Sequence, residues 1–411
     1  MTPPACRFCA GPLEQVFADL GVSPFANSYV APERRAEMEP FFPLCARVCS
    51  RCFLVQLEEH DGTPDRIFSD YAYFSSYSTT WLEHSRDYAA AAIERFELDS
   101  TSKVVEIASN DGYLLQYFVA AGIPVLGVEP AANVAAVAEG NGVPTAIRFF
   151  GRETARELHG DHEADLIVGN NVLAHVPDVN DFVAGLKLLL KPDGTLTIEF
   201  PHLMRLIDEV QFDTIYHEHF SYLSFSTARR IFAAHGLELF DVEELPTHGG
   251  SLRIYGRHAD PASEPVRASV HELVRREVEA GYDELAVYAA FADRVKREKR
   301  EILSFFLDAK NGGSSIAGYG APAKGNTLLN YCGIGTDFID YTVDRNPHKQ
   351  GHYLPGSRIP ILDPGEIERT QPDFLLILPW NLKDEVMEQM SVIREWGGRF
   401  VARSPQLTVY P

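Results

Sequence analysis

The sequence predicts an α/β chain in three parts: a cysteine-stapled N-terminal lobe, a central doubly wound sheet and a smaller Rossmann-like C-terminal domain. Three observations carry this. The apolar strand Val104-Val105-Glu106-Ile107 runs into the acidic, small turn Ala108-Ser109-Asn110-Asp111-Gly112 and then a helix. A second strand–turn–helix unit begins at Ser314 and carries Gly318 and Gly320. Two Cys-x-x-Cys pairs, Cys6/Cys9 and Cys49/Cys52, precede both units.

Taken in chain order, residues 1–65 read as a lobe held by four thiolates. Two such knuckles suit a tetrahedral zinc, although the interval between them exceeds the usual ribbon spacing. A closed four-thiolate site is structural, so no chemistry is assigned to it. Cys45 and Cys332 have no such partner and read as small buried residues.

Residues 66–260 form the central domain, led in by an aromatic and hydroxyl loop at 70–78 and a helix over about 80–96. Open α/β sheets bind ligands at the carboxyl ends of their strands, and an acid closing the second strand can take both ribose hydroxyls. Glu129 stands there. The first turn lacks the full G-x-G-x-x-G of dinucleotide binders, and its acids are unfavourable to a pyrophosphate. S-adenosylmethionine carries a sulfonium and no phosphate. Glu106, Asn110, Asp111 and Gly112 suit its cation and amino-acid tail. The fourth strand, 164–169, ends in Asn170-Asn171, with His175 just beyond. The fifth covers 194–200, after a turn at Lys191-Pro192-Asp193-Gly194.

After that strand comes Tyr216-His217-Glu218-His219, which can hang over the cofactor. A metal pair is one reading of the two histidines, but no third ligand stands nearby. A general base flanked by an acid and a phenol is the other, since imidazole titrates near working pH. His248-Gly249-Gly250, followed by Arg253, is a paired-glycine turn that lets a ligand approach closely.

Residues 261–411 begin with charged, apolar-periodic helices over about 262–311. Gly318 and Gly320 then open a helix whose N-terminus favours phosphate, with Lys324 on its first turns. Trp380 and Asn381, at a strand's carboxyl end, are placed to stack on a base and read its edge. Ala323 stands where a third glycine would be needed, which disfavours a nicotinamide-dependent oxidoreductase.

The formal net charge is −21, from 37 basic and 58 acidic residues, which argues against a sequence-independent grip on nucleic acid. No apolar run approaches the roughly 20 residues needed to cross a bilayer, and the start has no signal-peptide pattern. A cytoplasmic protein without a membrane partner is expected, and a monomer suits three domains of this size.

In their combined order these motifs resemble the three-domain sugar C-methyltransferases that act on nucleotide-linked 4-keto-deoxysugars, often in antibiotic biosynthesis. The resemblance runs through the four cysteines, the run from Tyr71 to Ser76, Glu106-x-x-x-Asn110-Asp111-Gly112 and His175-x-Pro177. It continues through Tyr216-x-Glu218-His219-Phe220, His248-Gly249-Gly250 and Gly318-Tyr319-Gly320-Ala321-x-Ala323-Lys324. It implies an S-adenosylmethionine domain between a zinc lobe and a domain that helps hold the sugar nucleotide, usually of thymidine diphosphate (dTDP). In that family the residues matching Tyr216, Glu218 and His219 line the reaction site, with the match to His219 as base; Tyr73 and His175 match further positions. His217 has no counterpart. An enolate mechanism at C3 or C5 follows, in which Glu218 orients His219. Methyl transfer to oxygen or nitrogen, and a zinc-ribbon nucleotide binder without turnover, are the competing readings.

Overall fold

The computed structural model describes residues 4–58, 74–260, 265–403 and 406–411. Tyr73 lies outside them, so its predicted place in the site has no structural account. Three sheets organise the chain. The first is antiparallel and contains β1 (Gln15–Ser23), β2 (Phe42–Val48) and β3 (Val55–Leu57).

The central sheet starts with β4 (Val104–Ile107), β5 (Val125–Val128), β6 (Thr145–Ala146), β7 (Ala164–Asn170) and β8 (Leu190–Pro201). The chain then leaves it for β9 (Ser221–Tyr222), and returns as β10 (Leu237–Leu245) and β11 (Ser251–His258). The strand order is β10-β11-β8-β7-β4-β5-β6, with β4 to β8 parallel and β11 antiparallel to its neighbours. Order reverses between β4 and β7, which opens a crevice at their carboxyl ends. All four residues of β4 and of β5 are buried, as expected of parallel strands covered on both faces.

One expected turn is absent: residues 191–194 lie inside β8. Ala164 pairs with Leu190 and Leu166 with Thr195, so the extra residues are taken up as an irregularity in the strand. The lead-in helix runs Thr79–Arg95 and is capped by Ser78, whose side chain accepts from the Trp81 amide.

The third sheet contains β12 (Ile316–Tyr319), β13 (Thr342–Val343), β14 (Ile361–Leu362), β15 (Phe374–Ile377), β16 (Arg399–Arg403) and β17 (Leu407–Tyr410). Its order is β14-β13-β12-β15-β16-β17, parallel except for β17. A second reversal therefore lies between β12 and β15. The charged stretch before it forms the helices Ala268–Glu279, Leu285–Ala289 and Phe291–Asn311.

The segment after β8 is held from two sides. β9 pairs with β3, so this stretch of the central domain completes the sheet of the first lobe. On the other side Asp213 accepts from Trp380 Nε1 at 2.6 Å and from Arg403 Nη1 at 2.8 Å, all three groups buried. Arg403 also meets Glu298 at 3.3 Å and the Val210 carbonyl. Removing one partner of such a buried ion pair is costly because the other charge stays uncompensated. Among the described residues, no helix is long and apolar enough to cross a membrane.

Candidate active site

The two crevices face each other across one cavity of about 1290 Å³. Pockets for a single drug-sized ligand run to about 1,000 Å³, so this one has room for two bound molecules. Its wall takes Asn110 and Glu129 from the ends of β4 and β5, Asn170, Asn171 and His175 from beyond β7, and Tyr216, Glu218 and His219 from the segment before β9. His248, Gly320, Lys324 and Asn381 complete the predicted residues on it.

His219 is oriented by backbone. Its Nδ1 is 2.9 Å from the Thr214 carbonyl, which can only accept, so Nδ1 carries the proton. Nε2 is then the lone pair, and the Tyr216 hydroxyl donates to it at 2.7 Å. This corrects the expectation that Glu218 orients His219. The Glu218 carboxyl turns elsewhere and accepts from Asn27 Nδ2 at 2.8 and 2.9 Å. Adjacent residues in a non-helical turn point apart, which spacing alone does not reveal.

Burial, and then the neighbouring His175, hold the His219 pKa well below its ordinary value. Burial likewise lowers His175 and His248 to about 4. His175 packs edge-on to His219 at 4.7 Å between ring centroids, and Asn171 Nδ2 donates to His248 Nε2 at 2.9 Å. Three neutral imidazoles thus border one cavity, and none offers a geometry for metal among the described residues. Burial raises Glu218 to about 7, against the opposing effects of Asn27 and Lys349. Burial also lowers Lys324 to about 8, and its Nζ reaches Asn381 Oδ1 at 2.6 Å.

The ends of β4, β5 and β7 fit S-adenosylmethionine. Asn171 Oδ1 is buried without a hydrogen-bond partner among the described residues, and Asn170 lines the cavity beside it. Glu129 accepts from the Asn110 and Ala131 amides at 3.0 and 2.9 Å, which fixes its carboxylate at the strand end. Glu106, Asp111 and Gly112 lie behind the wall. Asp111 accepts from the Ser76 amide and hydroxyl at 3.1 and 2.6 Å, and Asn110 from the Ser75 amide at 3.0 Å, so this turn anchors the lead-in loop. Burial keeps the Glu106 carboxyl well above its usual range, with Asp111 and Glu129 adding to that. A cationic ligand at this end relieves the strain of three acids so close together.

Several predicted substrate residues do not reach the cavity. Arg253 pairs with Glu199 at 3.0 Å and lies over Tyr88, inside the sheet. Trp380 is buried between Asp213 and Gly249, with Lys324 Nζ 4.5 Å over its ring, so it serves domain docking. A Cβ on Gly249, where φ is +87°, would stand 2.5 Å from Trp380 Cη2. Gly250 leaves room for Arg205 and Gly318 for Thr342. We expect Gly249→Ala to destabilise the protein by about 1–3 kcal/mol, read as a lower thermal midpoint, because both contact and φ oppose the methyl. An unchanged midpoint would remove this account of Trp380. The site also contains residues that single-sequence patterns did not mark: Asn27, Trp81, His84, Tyr222 and Lys349. Each is an isolated polar or aromatic residue brought in by tertiary packing.

In the first lobe, Cys6 and Cys52 sulfurs are 3.6 Å apart, Cys9 and Cys49 3.5 Å, and Cys9 and Cys52 3.6 Å. All four lie within 4.8 Å of one another. Tetrahedral zinc with bonds of about 2.3 Å spaces its sulfurs by about 3.8 Å, so the cluster fits. Gln56 Nε2 donates to Cys6 at 3.2 Å and the Arg51 amide to Cys49 at 3.4 Å, as partners of thiolate ligands do.

A sheet of this order, with acids closing its first two parallel strands beside a buried imidazole, fits an S-adenosylmethionine-dependent methyltransferase. Residues 81–242 match the model of a methyltransferase domain, residues 246–405 that of a C-methyltransferase C-terminal domain, and residues 6–68 that of a zinc binding domain. C-methyltransferase NovU of Streptomyces niveus is 38% identical over 402 residues, covering 98% of this chain and 95% of that protein. The chain belongs to the S-adenosylmethionine-dependent C-methyltransferases, with zinc as the structural metal of its first lobe. A ubiquinone biosynthesis O-methyltransferase of Rhodopseudomonas palustris (strain HaA2) is 28% identical over 119 residues, 26% of this chain and 46% of that protein. Among solved structures, magnesium protoporphyrin IX methyltransferase of Synechocystis PCC 6803 with bound SAM is 15% identical, covers 43% of this chain and 78% of its own, and has a TM-score of 0.33. At that score it adds nothing to the strand order above.

Proposed function

We propose that the enzyme methylates C3 of a dTDP-linked 4-keto-deoxysugar through an enolate. The observation that carries this is the neutral His219, its Nε2 lone pair aimed at the Tyr216 hydroxyl, on the wall of a cavity shared by two nucleotide-type sheets. S-adenosylmethionine, when bound, supplies a methyl group on a positively charged sulfur; Asn110, Glu129, Asn170 and Asn171 would hold it.

A carbon beside a ketone loses a proton because the charge spreads onto oxygen. Before substrate enters, Tyr216 occupies the lone pair the base needs. On entry its hydroxyl turns to the C4 oxygen, and the same rotation frees His219 Nε2 to take the C3 proton. Tyr216 then donates to the enolate oxygen in a site with little water, where such a bond is strongest. The base stays neutral before it acts, because burial opposes its protonation and so does Lys324 nearby. Glu218, on the same wall, faces the sugar.

The nucleotide would lie toward the helix Ala323–Cys332, with Gly320, Lys324, Lys349 and Asn381 beside its phosphates and base. Gly320, at φ +87°, packs against Pro379 and lets the chain turn into that helix without a side chain. Holding both substrates together contributes through proximity.

The test uses the 4-keto sugar nucleotide in deuterium oxide with cofactor omitted. Deuterium is expected to wash into C3, and the complete reaction to yield a methyl bonded to carbon by NMR. A methyl on oxygen, or retention of deuterium labels at both C3 and C5 through turnover, would falsify the enolate route; loss from C5 with retention at C3 would overturn the C3 position alone.

A further inference from the structure

The first lobe reaches the reaction site with one side chain. Asn27 follows β1 and lines the cavity. Its Nδ2 faces both oxygens of Glu218, at 2.8 and 2.9 Å. Behind it, the Tyr29 hydroxyl lies 3.2 Å from Asn27 Oδ1 and 2.5 Å from the Ala321 carbonyl, at the entry to the helix Ala323–Cys332. Lys349 Nζ donates to the same carbonyl at 3.0 Å. A relay of polar groups from all three domains therefore ends on one carboxyl.

We propose that Asn27 is a positioning residue for methyl transfer: its carboxamide sets the direction and the ionisation of Glu218, so the zinc lobe takes part in the chemistry and not only in folding. The inference rests on the reading of Glu218 as a group of the reaction site.

The charged and titratable groups around Glu218 are few. The first lobe offers Asn27 and Tyr29. The C-terminal domain offers Lys349, which has Asp344 3.9 Å behind it. From the central domain, His175 bonds the Glu218 backbone. Within its own segment, His217 turns to the Pro43 carbonyl at 3.1 Å, and His219 to Thr214 and Tyr216. Burial drives the carboxyl toward its neutral form, and the Asn27 amide and Lys349 oppose this, leaving it balanced near pH 7. A donor that favours the ionised form lowers a carboxyl's pKa. A hydrogen bond to a charged group is strong enough to move it by about one to two units.

The experiment titrates the full-length, zinc-loaded protein carrying carboxyl-labelled glutamate, by carbon NMR. Glu218→Gln identifies the resonance. In the unaltered protein the midpoint is expected near 7. In Asn27→Ala it should rise by about one to two units, and the inflection of the pH–rate profile should move with it. Asn27→Asp, which places a like charge against Glu218, should move both at least as far. Zinc content and thermal midpoint identify any variant that fails to fold, and Asn27→Ser then takes its place. An unmoved titration in folded, zinc-loaded variants overturns the inference. A uniform loss of rate at every pH does so too, since that marks a merely structural residue. A titration that moves while the rate profile stays fixed overturns instead the assignment of Glu218 to the reaction.

Discussion

Replacing His219 by glutamine will lower the rate of methyl transfer by roughly 10²- to 10⁴-fold while leaving S-adenosylmethionine affinity unchanged. Glutamine keeps a polar side chain of similar reach, so Thr214 and Tyr216 retain a partner. What it lacks is a basic lone pair. The imidazole is buried with its Nδ1 proton committed to Thr214, so Nε2 is the atom that can take a proton. The cofactor is expected along β4, β5 and β7, on strand ends that His219 does not build, so calorimetric binding separates the two effects. Turnover within about threefold of the unaltered enzyme would remove His219 as base. Tyr216→Phe should fall less far, since it leaves the base intact and removes one donor to the enolate oxygen.

Replacing Cys49 by serine will release zinc, lower the thermal midpoint by more than about 10 °C and abolish turnover. Zinc held by four thiolates contributes on the order of 10 kcal/mol in small domains, comparable with the whole stability of a protein. The first lobe buries its apolar residues in cores shared with the other domains, so losing its staple loosens packing well beyond it. Its collapse removes β3 as the partner of β9 and withdraws Asn27 from Glu218. The cofactor end of the cavity is built on β4, β5 and β7, which keep their own sheet pairing although the lobe packs into the same core. Weakened but measurable cofactor binding with no turnover is therefore the expected signature. A zinc-free variant with normal turnover would show that the lobe is dispensable, contrary to both contacts.

The central fold was legible because acids and small residues sit at strand ends, where tertiary contacts rarely override the pattern. The strand–turn–helix units of a doubly wound sheet could be anticipated around Glu106, Glu129 and Asn170; the order of the strands came only with the structure. His175, Tyr216 and His219 also converge as their motifs suggested, since they occupy a compact stretch and one neighbouring strand end. Asn27 and Lys349 could not be read in this way. Each is a lone polar residue in a loop, and only domain docking gives it a neighbour. Trp380 and Gly249 look like ligand contacts in a linear string, yet they pack against each other because an indole and a bare backbone fit closely. The mistaken partnership of Glu218 with His219 has the same origin: sequence proximity does not determine which way successive side chains point.

The stretch from Asp213 to Tyr222 is clasped by β3 on one side and by Arg403 and Trp380 on the other. During synthesis it leaves the ribosome long before Arg403 does. A growing chain can thus complete its cofactor-holding half early, while the segment carrying Tyr216, Glu218 and His219 stays unset until the last sheet closes. If the proposed reaction holds, competence would arrive in one late event, and a half-made copy would lack the means to spend cofactor on a stray ketone.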